Sequence, residues 1–229
     1  MQKIALFDLD LTLMPIDSDY TWAKFTNAIG WTDPEEATRQ NEKFYQDYVA
    51  GQLDMNAYVR FVTRALREHT PEENKAAQQQ YMRYWIRPEI RQESLDLLQK
   101  HRDEGAELVL TTATNRFIAE SIGLELGFVQ EHILCTELVQ DAAGNFTGDI
   151  DGVPNLREGK LVSMEAWLQK RGWGWDDVHI TFYSDSYNDM PLMLKAAVPV
   201  PTNPDARLRE EAQVRGWPVL ELFKTVHPS

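Results

Sequence analysis

The feature that most constrains this chain is its beginning, where a nearly unbroken apolar run over residues 3–8 stops abruptly at Asp8-Leu9-Asp10-Leu11-Thr12. A short apolar run without alternation predicts a strand buried on both faces, as in a parallel sheet. Parallel strands need helical crossovers, and the later sequence supplies that rhythm. Strands are expected at 107–111, 132–136, 178–184 and near Val198, with helices at 89–101, 115–126, 158–171 and 189–196 between them. The expected core is therefore α/β, a Rossmann-like doubly wound parallel sheet whose ligands bind beyond the carboxyl ends of its strands. Residues 20–90 read differently. They are rich in Gln, Glu, Arg, Ala and Tyr, with breaks at 30–34, 51–54 and 70–71, which predicts an insert of about four helices. The division that follows is a core of residues 1–15 and 89–229 and an inserted all-helical cap of residues 16–88 lying over the ligand-binding edge. The turn-prone Asp141-Ala142-Ala143-Gly144-Asn145 within 137–153 predicts a small peripheral hairpin.

Three of these strand ends carry polar residues: Asp8 and Asp10, then Thr112, then Asp185 with Asp189. Two carboxylates separated by one residue at a strand mouth can divide labour. One attacks phosphorus when a cation screens the phosphate, and the other moves a proton. A lone Asp-x-Asp also suits turns, calcium loops and glycosyltransferases, Thr112 alone suits a strand-end hydroxyl, and Lys160 alone suits a solvated helix.

Read in order, the segments 4–13, 108–112, Glu158-Gly159-Lys160 and 183–189 resemble the four sequence blocks of the haloacid dehalogenase superfamily of phosphohydrolases, over nearly the whole chain. The resemblance implies Asp8 as nucleophile and Asp10 as general acid and base. It implies Thr112, Lys160 and Asn188 as groups that hold the phosphate, and magnesium held by Asp8, the Asp10 carbonyl and Asp185. Asp189 would stand close to the metal and orient waters or Lys160. Ser184 departs from the pattern, since relatives usually carry glycine there. A helical insert after the first block is similar to the cap of the phosphoserine phosphatase-like branch. The stretches 17–22 and 112–117 are most similar to a histidinol-phosphatase-like group within it. An oxygen-rich, partly hydrated site suits magnesium.

Substrate choice then falls to the insert. Asp17 and Asp19 fit two readings equally, a cap of the first insert helix through Asp19 or carboxylates for an ammonium or imidazolium group. Trp22, Phe44, Tyr45 and Tyr48 read first as insert core and second as an aromatic wall.

The net charge of −13 disfavours nucleic acid and anionic membranes as partners and calls for a cation at any phosphate site. One cysteine, Cys135, allows no intramolecular disulfide and reads as a small buried residue. No apolar run reaches spanning length, and with the early Asp8 and Asp10 a cytoplasmic location is expected. The expected function is magnesium-dependent hydrolysis of a small phosphorylated metabolite, such as histidinol phosphate or phosphoserine, through an aspartyl phosphate. A phosphotransferase or mutase on the same fold is the alternative. Asp10 argues against a dehalogenase, and the presence of all four of Asp8, Asp10, Lys160 and Asp185 argues against a decayed binding module. Oligomeric state has no signature in the sequence.

Overall fold

The structure is a computed structural model that describes residues 1–226. Its elements run β1 (Gln2–Phe7), α1 (Ser18–Ala28), α2 (Pro34–Val49), α3 (Met55–Val62), α4 (Arg64–Arg67), α5 (Pro71–Tyr81), α6 (Gln92–Asp103), β2 (Glu107–Asn115), α7 (Arg116–Glu125), β3 (Ile133–Thr136), β4 (Leu138–Gln140), β5 (Phe146–Ile150), α8 (Glu158–Gln169), β6 (Val178–Ser184), α9 (Met190–Met193), β7 (Val198–Pro201) and α10 (Ala206–Arg215). Five strands form one sheet in the order β3-β2-β1-β6-β7, every neighbouring pair parallel. β1 lies at the centre, which is why its sequence is apolar throughout: alternation sends Ala5 and Phe7 to one face and Ile4 and Leu6 to the other. On the first face Phe7 stacks on Tyr183 with centroids 4.8 Å apart, over residues of α6 and α7. On the second, Met164, Trp167 and Leu168 of α8 and Leu208 of α10 complete the layer.

The helical insert is set by its punctuation. Asp17, Asp33 and Asp54 each accept a backbone N–H at a helix start, and Thr70 forms a reciprocal capping box with Glu73. The insert has five helices rather than four, because the stretch after Asp54 breaks at Thr63 into α3 and α4. Its inner face is aromatic: Trp22 packs edge-on against Tyr81 at 5.1 Å and Phe117 of α7 at 5.5 Å, and the Tyr81 hydroxyl donates to the Ser18 carbonyl at 2.8 Å.

Two further expectations are revised. The β4–β5 hairpin is not peripheral. It braces the insert, with Arg60 of α3 bonded to Asp149 at 2.8 Å, and with Arg67 packed on Gly148, where a Cβ would lie 2.9 Å from Nε. The helix expected over 189–196 shortens to α9, with residue 189 taken into a 3-10 turn at Tyr187–Asp189, and α10 lies beyond the elements the sequence predicts. Among the described residues no helix is long and apolar enough to cross a membrane.

Candidate active site

The carboxyl ends of β1, β2 and β6 open into a cavity of about 450 Å3, roofed by α2 and α3 of the insert. Asp8, Asp10, Thr112, Lys160 and Asp185 all line it, so four separate stretches of sequence are brought to one place. Asp8 follows the last residue of β1, and its N–H still donates to the Tyr183 carbonyl at 2.9 Å, so the ladder fixes its backbone. The chain then turns tightly through Leu11, whose φ of 57° lies in the left-handed region, and Leu13 and Met14 both donate back to the Leu9 carbonyl. That turn aims Thr12 inward. Its hydroxyl lies 3.5 Å from Asp8 Oδ2 and 3.3 Å from Asp185 Oδ1, and it accepts the Asp185 N–H at 3.0 Å. Thr12 thus ties the ends of β1 and β6 together.

Lys160 enters from the start of α8, where its Nζ donates to Asp8 Oδ1 at 2.8 Å and Asp189 Oδ2 at 2.7 Å. Burial alone would lower its pKa, but the carboxylates of Asp189 and Asp8 outweigh that and raise it, so the ammonium is held charged. Gly159 makes this entry possible: a Cβ there would lie 1.9 Å from the Pro154 carbonyl oxygen. Asp189 also accepts the Ser184 hydroxyl at 2.6 Å, so the serine that departs from the expected glycine has a defined bonding role.

Asp10 has a separate environment. Oδ1 accepts the Ser18 N–H at 2.7 Å, and Oδ2 accepts the Thr114 hydroxyl at 2.8 Å. Burial and the nearby Asp17 charge raise its pKa to about 7 against those two donors. Asp8 is also raised to about 7, by burial, with Lys160 opposing. Asp185 is raised well above the carboxylate range by burial and by the charges of Asp8 and Asp189. Thr112 is buried and accepts the Thr114 N–H at 3.1 Å. Behind it Asn155 donates to Thr111 Oγ1, the Thr112 carbonyl and the Leu134 carbonyl, fixing the ends of β2 and β3. Thr12, Thr114 and Gly159 stood inside the motif segments without being given a role, and Asn155 carried no signal in the sequence.

The remaining candidates divide. Asp17 caps α1 through the Tyr20 N–H at 2.8 Å, so the cap is Asp17 and not Asp19, and both carboxylates line the cavity. Asp19 accepts the Tyr58 hydroxyl at 3.0 Å and Asn115 Nδ2 at 3.3 Å, and burial raises both acids to about 7. Phe44, Tyr45 and Tyr48 line the cavity, whereas Trp22 is fully buried in the insert core and does not. Asn188, expected to hold phosphate, is directed elsewhere. Its Oδ1 accepts from Arg157 Nε at 3.2 Å and its Nδ2 donates to the Tyr48 carbonyl at 3.1 Å, outside the cavity lining.

The donor set bears on a cation. Asp8, Asp185 and Asp189 are buried around one ammonium, which leaves more negative charge than Lys160 can offset. Among the described residues no three His, Cys, Asp or Glu side chains form a ready ligand cluster. Two carboxylates that share one hydroxyl, with oxygen as the donor throughout, fit a hard cation that keeps part of its water.

The chain is similar to known proteins over most of its length. The model of the haloacid dehalogenase-like hydrolase family matches residues 5–194. A histidinol-phosphatase of Neisseria meningitidis is 38% identical over 221 residues, spanning 96% of this chain and 99% of that protein. A Bordetella pertussis protein of unknown function superimposes with a TM-score of 0.90 at 39% identity, covering 97% of this chain and all of the other. A substrate-bound phosphoserine phosphatase, at 16% identity, shares the fold with a TM-score of 0.66 over 96% of this chain and 93% of its own.

Proposed function

The chain belongs to the haloacid dehalogenase-like hydrolase family, and from that premise we propose that it hydrolyses a phosphomonoester of a small cationic alcohol through an aspartyl phosphate on Asp8. The observation that carries the reading is the arrangement at the cavity floor: one carboxylate pinned by a buried lysine and facing a second, with a third acid at a pKa of about 7 nearby. Asp8 attacks phosphorus, Lys160 and the Thr112 hydroxyl stabilise the charge on the phosphoryl oxygens, and the leaving oxygen departs in line. Asp10 gives that oxygen a proton and then takes one from the water that cleaves the acyl phosphate. Its two fixed donors hold the carboxylate in one orientation for both transfers. Asp8, Asp185 and the Asp10 backbone carbonyl would hold magnesium, with Asp189 steadying Lys160 beside it. When bound, the ion screens the repulsion between Asp8 and phosphate.

The cavity wall supports a substrate class. Asp17, Asp19 and Glu42 stand with the rings of Phe44, Tyr45 and Tyr58, and the one basic residue in the lining among the described residues, Lys160, is already engaged by Asp8 and Asp189. An ammonium or imidazolium on the leaving group is attracted there, while a carboxylate is repelled by the three acids. Histidinol phosphate, the substrate class in the name of the Neisseria relative, meets that description. Phosphoserine, with its carboxylate, meets it less well.

Phosphate release should be measured on both esters with magnesium, with excess chelator, and with an added acceptor alcohol. The expected result is turnover that favours histidinol phosphate, stops in chelator, vanishes in Asp8→Asn and transfers little phosphate to the acceptor. Undiminished release by Asp8→Asn or in chelator sinks the mechanism, and faster release from phosphoserine sinks the substrate class.

A further inference from the structure

The turn that ends α2 is fastened to the core at three points. The Tyr48 hydroxyl donates to Ser186 Oγ at 2.9 Å, Asn188 Nδ2 donates to the Tyr48 carbonyl at 3.1 Å, and Gly51 packs against the guanidinium of Arg157. The last contact is close. A Cβ on Gly51 would lie 2.7 Å from Arg157 Nη2 and 3.5 Å from Cζ, and Gly51 itself has a φ of 72°. The same guanidinium donates through Nε to Asn188 Oδ1 at 3.2 Å. Three pieces of chain therefore meet on one side chain: the end of α2, the loop before α8 and the turn after β6.

Arg157 is an unfavourable residue at that point in two independent ways. Its backbone sits at φ 54° and ψ −116°, a region that suits glycine and strains any residue with a Cβ. Its Nη2 is buried without a hydrogen-bond partner. Strain held in place by the surrounding structure concentrates where geometry serves function. The core residues of the cluster are neighbours in sequence of the proposed chemistry: Arg157 precedes Lys160 by one short turn, with the Lys160 N–H donating to the Arg157 carbonyl at 3.1 Å, and Asn188 adjoins Asp189.

We propose that Arg157, acting through Asn188, is a positioning residue that seats the turn ending α2 on the two catalytic loops, and so fixes the wall of Phe44, Tyr45 and Tyr48 over Asp8. Neither Arg157 nor Asn188 lines the cavity. Loss of the guanidinium frees the turn at 48–51 without dismantling the floor, because Lys160 keeps its bonds to Asp8 and Asp189. The kinetic consequence rests on the proposed phosphatase activity; the seating itself does not.

The test uses Arg157→Gly, which accepts the strained backbone and removes the side chain, together with Gly51→Ala, which disturbs the same contact from the other side. Hydrogen exchange on the full chain should show residues 45–53 exchanging on the order of 10- to 100-fold faster in both variants, the size expected from losing a charge-assisted contact, with β1 and β6 unchanged. For histidinol phosphate KM should rise more than kcat falls. Millimolar guanidinium, but not matched sodium chloride, should restore protection in Arg157→Gly and leave Gly51→Ala unaffected. Wild-type protection at 45–53 in Arg157→Gly overturns the proposal, whatever Gly51→Ala shows, because the φ of 72° at Gly51 strains an alanine by itself. So does an equal rise in exchange across β1 and β6, which would make Arg157 a general stabiliser. Local loss of protection with guanidinium rescue, in a protein that cleaves no phosphomonoester, upholds the seating role and removes the phosphatase reading alone.

Discussion

Asp8 and Asp10 are the same side chain two residues apart, and the bonds each accepts set them to different work. Burial raises Asp8 to about 7 against the opposing Lys160 ammonium, whose bond to Oδ1 pins the carboxylate in place. Burial and then Asp17 raise Asp10 to about 7 as well, but it accepts only two neutral donors and carries no ammonium, so its proton can be exchanged without breaking an ion pair. A general acid is most effective near its working pH, so Asp10→Asn should cost on the order of 10²–10⁴ in rate on an alkyl phosphate. The loss on p-nitrophenyl phosphate should be smaller, because that leaving group needs little protonation. Cleavage of the acyl phosphate still needs a base, so phosphate bound to Asp8 should accumulate, as rapid quenching would reveal. Equal losses on both esters with no trapped phosphate would reduce Asp10 to a structural carboxylate.

Among the elements, α8 shows how a single missing atom places a catalytic group. Its start approaches the Pro154 carbonyl so closely that Gly159→Ala drives a Cβ to 1.9 Å from that oxygen, and the helix must shift. The shift carries Lys160 away from Asp8. Gly159→Ala is therefore expected to cost about 1–3 kcal/mol in denaturant unfolding, as overpacking does, and at least tenfold in turnover, while Gly174→Ala, at a φ of −99° where a Cβ meets only Asp177 Oδ2 at 3.6 Å, serves as the control. Wild-type turnover in Gly159→Ala would show that the loop yields and that Lys160 does not depend on this approach. The strands and the order of the four motif segments were legible because an apolar run ending in acids is a local pattern, as β1 shows over Gln2–Phe7. What escaped was set by partners far along the chain. Asn155 acts through three atoms on two other strands, Asn188 turns away because Arg157 and Tyr48 occupy both ends of its amide, and Ser184 has meaning only beside Asp189. The split of α3 from α4 and the bracing of the insert by the hairpin are likewise tertiary outcomes that helical periodicity does not encode.

At the scale of the whole molecule, the chain of net charge −13 gathers buried carboxylates where insert and core meet, and its stability carries the mark of that choice. Asp17 and Asp19 are each raised to about 7, first by burial and then by neighbouring acids. In the unfolded chain both titrate near the ordinary value of about 4. Between about pH 4 and pH 7 the folded protein therefore binds more protons than the unfolded one, and stability falls as pH rises. The favourable contribution is fully present below the unfolded pKa and is lost as pH passes through the folded one. Asp19→Asn removes one of these groups while keeping an acceptor for the Tyr58 hydroxyl. The difference in unfolding free energy between Asp19→Asn and the wild-type protein should therefore grow in favour of the variant from pH 5 to pH 8, with a slope of up to about one proton below pH 7. Urea unfolding at fixed ionic strength, in chelator so that no cation compensates, is the measurement. A difference that stays constant over that range would mean that Asp19 titrates alike in both states, and that the acidic wall is solvated well enough to carry its charge without cost to the fold.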